Sequence, residues 1–249
     1  MNAIMIETRN AIIGMNMEID TSFDVYSDTP AGMDPDSYSR TLRSYHKMLW
    51  SKPLPNGSAF YLSDSRPGTY LYHKSELGEF FLSSDSFGHT YRYVKAMAPI
   101  IDRIPEDELT RFFSICSTVG AYILFPSRQV ERKPTINQAR GMHGKIRDRF
   151  DLSLECIRRH YDNQSSPLSE TLARYAYFFD LFGNFRGYVQ FFLLQDFVSD
   201  DGTSINFLLP FTDFDAMPLP SDVHEYRSYR DRLVESVIAR NRRIETLAA

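Results

Sequence analysis

Residues 135–161 read TINQARGMHGKIRDRFDLSLECIRRHY, and the fold turns on how this stretch is read. Its second half is helical in pattern. Ile146, Phe150, Leu154, Ile157 and Tyr161 recur every three or four residues and make one apolar stripe. Arg147, Asp151, Glu155 and Arg159 recur every four and make a charged row beside it. The first half, with two glycines around Met142-His143, reads as a loop that opens into that helix. Just upstream, residues 119–125 (VGAYILF) are rich in β-branched and aromatic side chains and stop at Pro126, which predicts a buried strand. A one-faced helix beside a buried strand implies a mixed fold.

Further upstream, Asp36 or Ser37 is placed to cap a helix running to Trp50, with Leu42, Tyr45 and Leu49 on one face. Pro53, Pro55 and Asn56-Gly57 end it in a turn. Residues 59–62, 69–73 and 79–83 are short β-rich runs punctuated by Pro67-Gly68 and Gly78, and predict antiparallel strands. Residues 91–104 fit either a strand or a short helix. Pro105 followed by Glu106, Asp107 and Glu108 starts a helix to Ser117, because acids in a first turn complement the helix dipole.

Downstream, residues 162–167 read as a linker, 167–182 as a helix, 188–198 as a buried helix and 204–209 as a strand. After a loop over 210–220, Ser221 caps a long final helix to Leu247, with Val223, Tyr226, Leu233, Val237 and Ile244 as its stripe. Its many arginines, interspersed with acids, read as a solvated face. No repeat or low-complexity linker divides the chain. The expectation is a single α+β domain over 19–249, mostly antiparallel sheet packed against several helices. Residues 1–18 are expected to be an extension outside the core, with Met15 or Met17 as alternative starts.

The totals narrow the function classes. The 249 residues are 43% hydrophobic and 14% aromatic, enough for a sizeable core. A net charge of −4 excludes a polycation drawn to nucleic acid by its overall field. Two cysteines, Cys116 and Cys156, argue against a disulfide scaffold and for a reducing, cytoplasmic setting. No uninterrupted apolar run is long enough for a membrane span, and no leader pattern opens the chain. The familiar nucleotide-loop, serine-hydrolase, zinc-protease and paired-cysteine motifs are missing, and the six histidines are scattered without ligand spacing.

Charge is unevenly distributed. Residues 18–36 hold six acids and no Lys or Arg, which reads as a solvated lead-in or as an acidic arm covering a basic site. Residues 127–160 hold nine Lys/Arg against four acids, a sign opposite to that of the whole chain. Within them Asn137, Arg140, Gly141, His143, Gly144 and Lys145 form a candidate anion cradle. Glycines let a backbone approach an anion, arginine forks onto phosphate, and a helix start favours negative charge. Arg147 and Arg149 would add field. Asp148, Asp151 and Glu155 are candidate general acid–base groups or metal ligands, with His73 and Glu76 at strand ends as further catalytic candidates. The plainer reading of the charged row is a solvated ladder of ion pairs.

Several stretches together, WSKPLP at 50–55, ELGEFFLSSDS at 76–86, TINQARG at 135–141, DRFDLSLECIRRHY at 148–161 and FFDLFGNFRGYVQFFLLQDFV at 178–198, resemble a family of uncharacterised bacterial proteins over 19–244. The resemblance implies one intact cytoplasmic module. It assigns no activity, cofactor or catalytic residue. Three functions are therefore expected in competition. One is binding of a phosphate-bearing ligand, nucleotide or nucleic acid at residues 135–149. The second is a non-catalytic module that binds a protein partner, and the third is a metal-dependent hydrolase using Asp148, Asp151 and Glu155.

Overall fold

Ser39 decides where the first long helix begins. Its hydroxyl accepts from the Leu42 amide at 3.0 Å, and this cap divides the expected helix into α1 (Pro35–Tyr38) and α2 (Arg40–Trp50). The computed structural model describes residues 18–64 and 71–248. The expected Pro67-Gly68 turn, Thr69, Tyr70 and nearly all of the N-terminal extension lie outside them. On α2 the stripe of Leu42, Tyr45 and Leu49 is buried as its spacing requires, and Trp50 joins it.

A small ladder pairs β1 (Lys52–Pro53) with β2 (Ala59–Phe60). The main sheet is antiparallel, ordered β3 (Ser63–Asp64), β4 (Leu71–Ser75), β5 (Gly78–Ser86) and β6 (Tyr122–Pro126). Gly78 makes the tight β4–β5 hairpin with φ +134°, a backbone conformation closed to most side-chain-bearing residues. The register sets His73 opposite Phe80, and Asp85 opposite Ile123. β6 is buried at every position, as its composition predicts, but residues 119–121 form a 3-10 turn before it.

Between β5 and β6 lie α3 (Ala98–Ile101) and α4 (Glu106–Cys116), which resolves the ambiguous 91–104 as helix. After β6 come α5 (Ile136–Met142), α6 (Phe150–Tyr161), α7 (Ser169–Ala173), α8 (Ala176–Asp180), α9 (Phe185–Phe191) and α10 (Val223–Ala248). The central stretch is thus two helices, not a loop and a helix. Thr135 and Gln138 form a reciprocal capping box that starts α5 before the glycines. The expected 167–182 helix breaks at Arg174-Tyr175, and the expected 204–209 strand is reduced to one bridge, Val198 to Ile205. The final helix forms, with the Asp222 side chain rather than Ser221 accepting from the Glu225 amide at 2.8 Å.

One aromatic-rich core joins these layers, with α10 against α4 and the 119–121 turn. The 18–36 lead-in is not simply solvated. Ile19 and Val25 are buried, and the Val25 amide donates to the Ser117 carbonyl at 3.0 Å. This contact carries the acids of α1 onto the end of β5.

Candidate functional site

Arg140 is the largest departure from the sequence expectation. It is fully buried, not presented to an anion. Its Nε donates to the Ser153 hydroxyl at 2.8 Å, and its Nη1 is paired with Asp85 at the end of β5. The guanidinium lies between the Phe125 and Phe150 rings, 5.6 and 5.8 Å from their centroids. Helix α5 aims it inward because Ile136 and Arg140, four apart, share the face that packs on β6. A buried cation requires a carboxylate, and Asp85 supplies it from 55 residues away.

The other expected cradle residues are dispersed. Asn137 donates to the Ser83 hydroxyl and the Ser84 carbonyl, each at 3.3 Å. Gly141 sits inside α5, where an added Cβ would lie 3.0 Å from an Asp148 carboxylate oxygen. His143 ends α5 and its Nδ1 accepts from the Lys145 amide at 3.2 Å. Gly144 faces open space, Lys145 reaches Asp215, and Arg147 is exposed. Arg147 and Asp148 both take positive φ, 49° and 61°, to make the turn into α6. Arg149 is buried and locked to Asp151 and the Pro218 carbonyl.

The charged row is not a solvated ladder. Asp151 is fully buried and also accepts from the Leu208 amide at 2.9 Å, so it anchors the 206–218 segment. Glu155 is buried under Arg158 and Arg159, which hold its carboxyl below the usual range against the effect of burial. Asp148, at the turn, lies 3.9 Å from His89 Nε2 and 4.0 Å from Arg140 Nη2, which also donates to its carbonyl at 3.4 Å. Among the described residues, no group of three or more His, Cys, Asp or Glu is arranged to hold a metal ion. His73 is buried, stacked on Phe60 at 4.2 Å and bonded to the Tyr61 carbonyl and the Ser75 hydroxyl. Burial lowers its pKa. Glu76 is exposed in the hairpin turn, away from these groups.

Chemistry is concentrated where the lead-in meets the end of β5. A cleft of about 400 Å³ is walled by Asp34 and Asp36 from one side and Asp85, His89 and Tyr122 from the other. Gly88 packs so closely on Cys116 that an added Cβ would sit 2.2 Å from the cysteine Cβ. The Asp36 Oδ1 is buried and, among the described residues, has no hydrogen-bond partner. Burial, then the neighbouring Asp85 and Asp34 carboxylates, push the Asp36 carboxyl well above its ordinary value. Burial also raises Asp85, but Arg140 and His89 oppose it. The Arg140 guanidinium against Asp85 favours its ionised form, so of the two carboxyls Asp36 is the one that keeps a proton.

Behind the cleft runs an ordered hydrogen-bond chain. The Trp50 indole N–H donates to His46 Nδ1 at 2.9 Å, which places the imidazole proton on Nε2. His46 Nε2 lies 2.8 Å from the Ser84 hydroxyl and therefore donates to it. The Ser84 proton is free to support Asp36 in its ionised form. Burial, with Arg240 and Arg43 nearby, lowers the His46 pKa to about 3. This polarity rules out His46 as the base for a Ser84 nucleophile, because Nε2 carries the proton. Neither Asp36 nor His46 was singled out as a site residue from the sequence. The signal was the acid run of 18–36, whose partner lay in a different element.

A larger cavity of about 610 Å³ lies between α9, residues 195–206 and α10. Its Arg243 and Asp196 are already paired at 2.8 and 3.0 Å. The carboxylate cleft is the stronger candidate, since perturbed titratable groups gather at functional sites.

Residues 19–244 match the model of a family described as a "Family of unknown function (DUF6994)". No curated protein and no solved structure matches the chain.

Proposed function

We propose, for a chain that belongs to the DUF6994 family of unknown function, that the cleft at the end of β5 is an acid–base site for a small polar substrate without negative charge. The observation that carries this reading is the Asp36 carboxyl, with a buried, unpartnered oxygen beside Asp85 at the wall of an open cleft. Acid–base catalysis needs one group that keeps its proton and one that has lost it. Asp36, raised well above its ordinary value, serves as the proton donor. Asp85, held by Arg140, serves as the fixed negative charge. Asp148 and His89, 3.9 Å apart, stand beside the pair.

The same geometry argues against phosphate in this cleft. Asp34, Asp36 and Asp85 line it, and like charges brought together are costly. Neutral hydroxyl-bearing or amine-bearing molecules fit the donors and acceptors present.

A carbon-13 NMR titration of aspartate carboxyls tests this reading. One resonance, missing in Asp36→Asn, is expected to titrate above the usual aspartate value of about 3.9. It should also move when small amines or sugars are added. The sign of the linkage follows. The stability contributed by protonated Asp36 is complete below its unfolded pKa and is lost as pH rises through its higher folded pKa. Asp36→Asn should therefore be more stable than the parent at neutral pH. An ordinary titration of Asp36, with no probe shifting Asp36 or His89, would overturn the reading.

A further inference from the structure

Among the described residues, the arginines of 127–160 that meet carboxylates are accounted for by Asp85, Asp148, Asp151, Glu155 and Asp162. Arg128 is not among them. Its guanidinium lies over the Phe81 ring at 4.1 Å, and among the described residues no carboxylate pairs with it. It stands at the rim of a hollow of about 410 Å³ between the β4–β5 turn, the loop after β6 and α8. Arg174 lines the same hollow. It donates to the carbonyls of Glu170 and Pro134 at 3.1 and 2.9 Å, and its Nε is buried without a hydrogen-bond partner. It too has no carboxylate among the described residues. The one acid in the lining, Glu79, is engaged by the Tyr72 hydroxyl at 2.6 Å.

The walls between these cations are rings. Phe80 and Phe178 meet edge to face at 6.0 Å, and Tyr177 stands 81% exposed beside them. A guanidinium stacked on a ring keeps its in-plane N–H groups free, and their fork matches a phosphate. Flat apolar walls with a few polar groups at the rim, at this volume, suit one small ligand.

We infer that this hollow binds a mononucleotide, with its base against Tyr177 and Phe80 and its phosphate on Arg128 and Arg174. The inference does not rest on the carboxylate cleft. It identifies a different place for the phosphate-bearing ligand that the basic stretch suggested. The excess positive charge counted along residues 127–160 is available in space at Arg128, beside apolar walls, rather than at Arg140.

Titration calorimetry with AMP, GMP, UMP, adenosine and inorganic phosphate tests it on the full chain. A mononucleotide is expected to bind at least about tenfold more tightly than adenosine or phosphate alone, since ring and charge contacts act together. Arg128→Gln should lower mononucleotide affinity by about tenfold and leave adenosine unchanged. Tyr177→Ala should weaken mononucleotide and adenosine alike. Both side chains are exposed, and circular dichroism checks that each variant folds. No binding of any of the three mononucleotides at millimolar concentration would overturn the inference. So would equal affinity in the parent and both variants. Neither variant touches Asp36, so the NMR titration of the cleft stands or falls separately.

Discussion

Arg140 and Arg240 are both fully buried, and they are held by different means. Arg140 is neutralised by a carboxylate whose other neighbours open onto a cleft. Among the described residues, no carboxylate pairs with Arg240, on α10. It donates to the carbonyls of Gly120 and Tyr122, each at 2.7 Å, and to the Phe192 carbonyl at 2.9 and 3.1 Å. The Trp50 and Phe87 rings lie 5.6 and 5.1 Å from it. Burial drives its pKa down, to about 9, which still leaves it charged at neutral pH. Arg240 thus ties three backbone segments together and offers nothing to a ligand. Arg140 holds negative charge at the edge of a cavity. Burial of a cation is therefore not itself a mark of function; what matters is whether its counter-charge reaches open space.

The comparison breaks most readily at Arg240. Arg240→Met should cost about 4 kcal/mol in urea unfolding, because three buried carbonyls lose their donor. A cost near zero would show that water or relaxation replaces the strut.

Arg140→Met should cost about 3 kcal/mol at neutral pH by stranding Asp85. Adding Asp85→Asn should recover much of that loss. No recovery in the double variant would mean that the pair is not coupled as its geometry indicates.

The smallest of the three effects comes from His46, which stands between the two regions. Its folded pKa lies below the unfolded value, so its contribution is present above about 6.5 and lost as pH falls toward about 3. The parent should lose about 2 kcal/mol from this group at pH 5 relative to pH 8. His46→Gln should remove that part of the pH slope. An unchanged slope would place the acid sensitivity in other groups.

Much of the fold was legible because its signals are local. Leu42, Tyr45 and Leu49 announced their helix face, and Phe150, Leu154 and Ile157 announced another, while Ile146 is buried in the turn before it. Residues 119–125 read as a buried strand before any partner was known, and the strand forms at 122–126. Errors arose where a side chain overrode the pattern. Ser39 restarted a helix, Thr135 and Gln138 began one early, and Asp151 held residue 208 in a turn instead of a strand. The candidate site was legible only in part. Arg140 and Asp148 were singled out, but as an outward receptor and a metal ligand. Asp36 was read as lead-in or helix cap, and Ser84 lay just past the expected 79–83 strand.

The amino-acid order determined the α+β class and the apolar faces of the long helices and of the 122–126 strand, since helical and strand periodicity are properties of neighbouring residues. Tertiary structure alone decided which charges meet. Asp85 reaches Arg140 across 55 residues, while Arg128 meets a ring and no acid. Coulomb attraction depends on distance in space, and separation along the chain does not encode it.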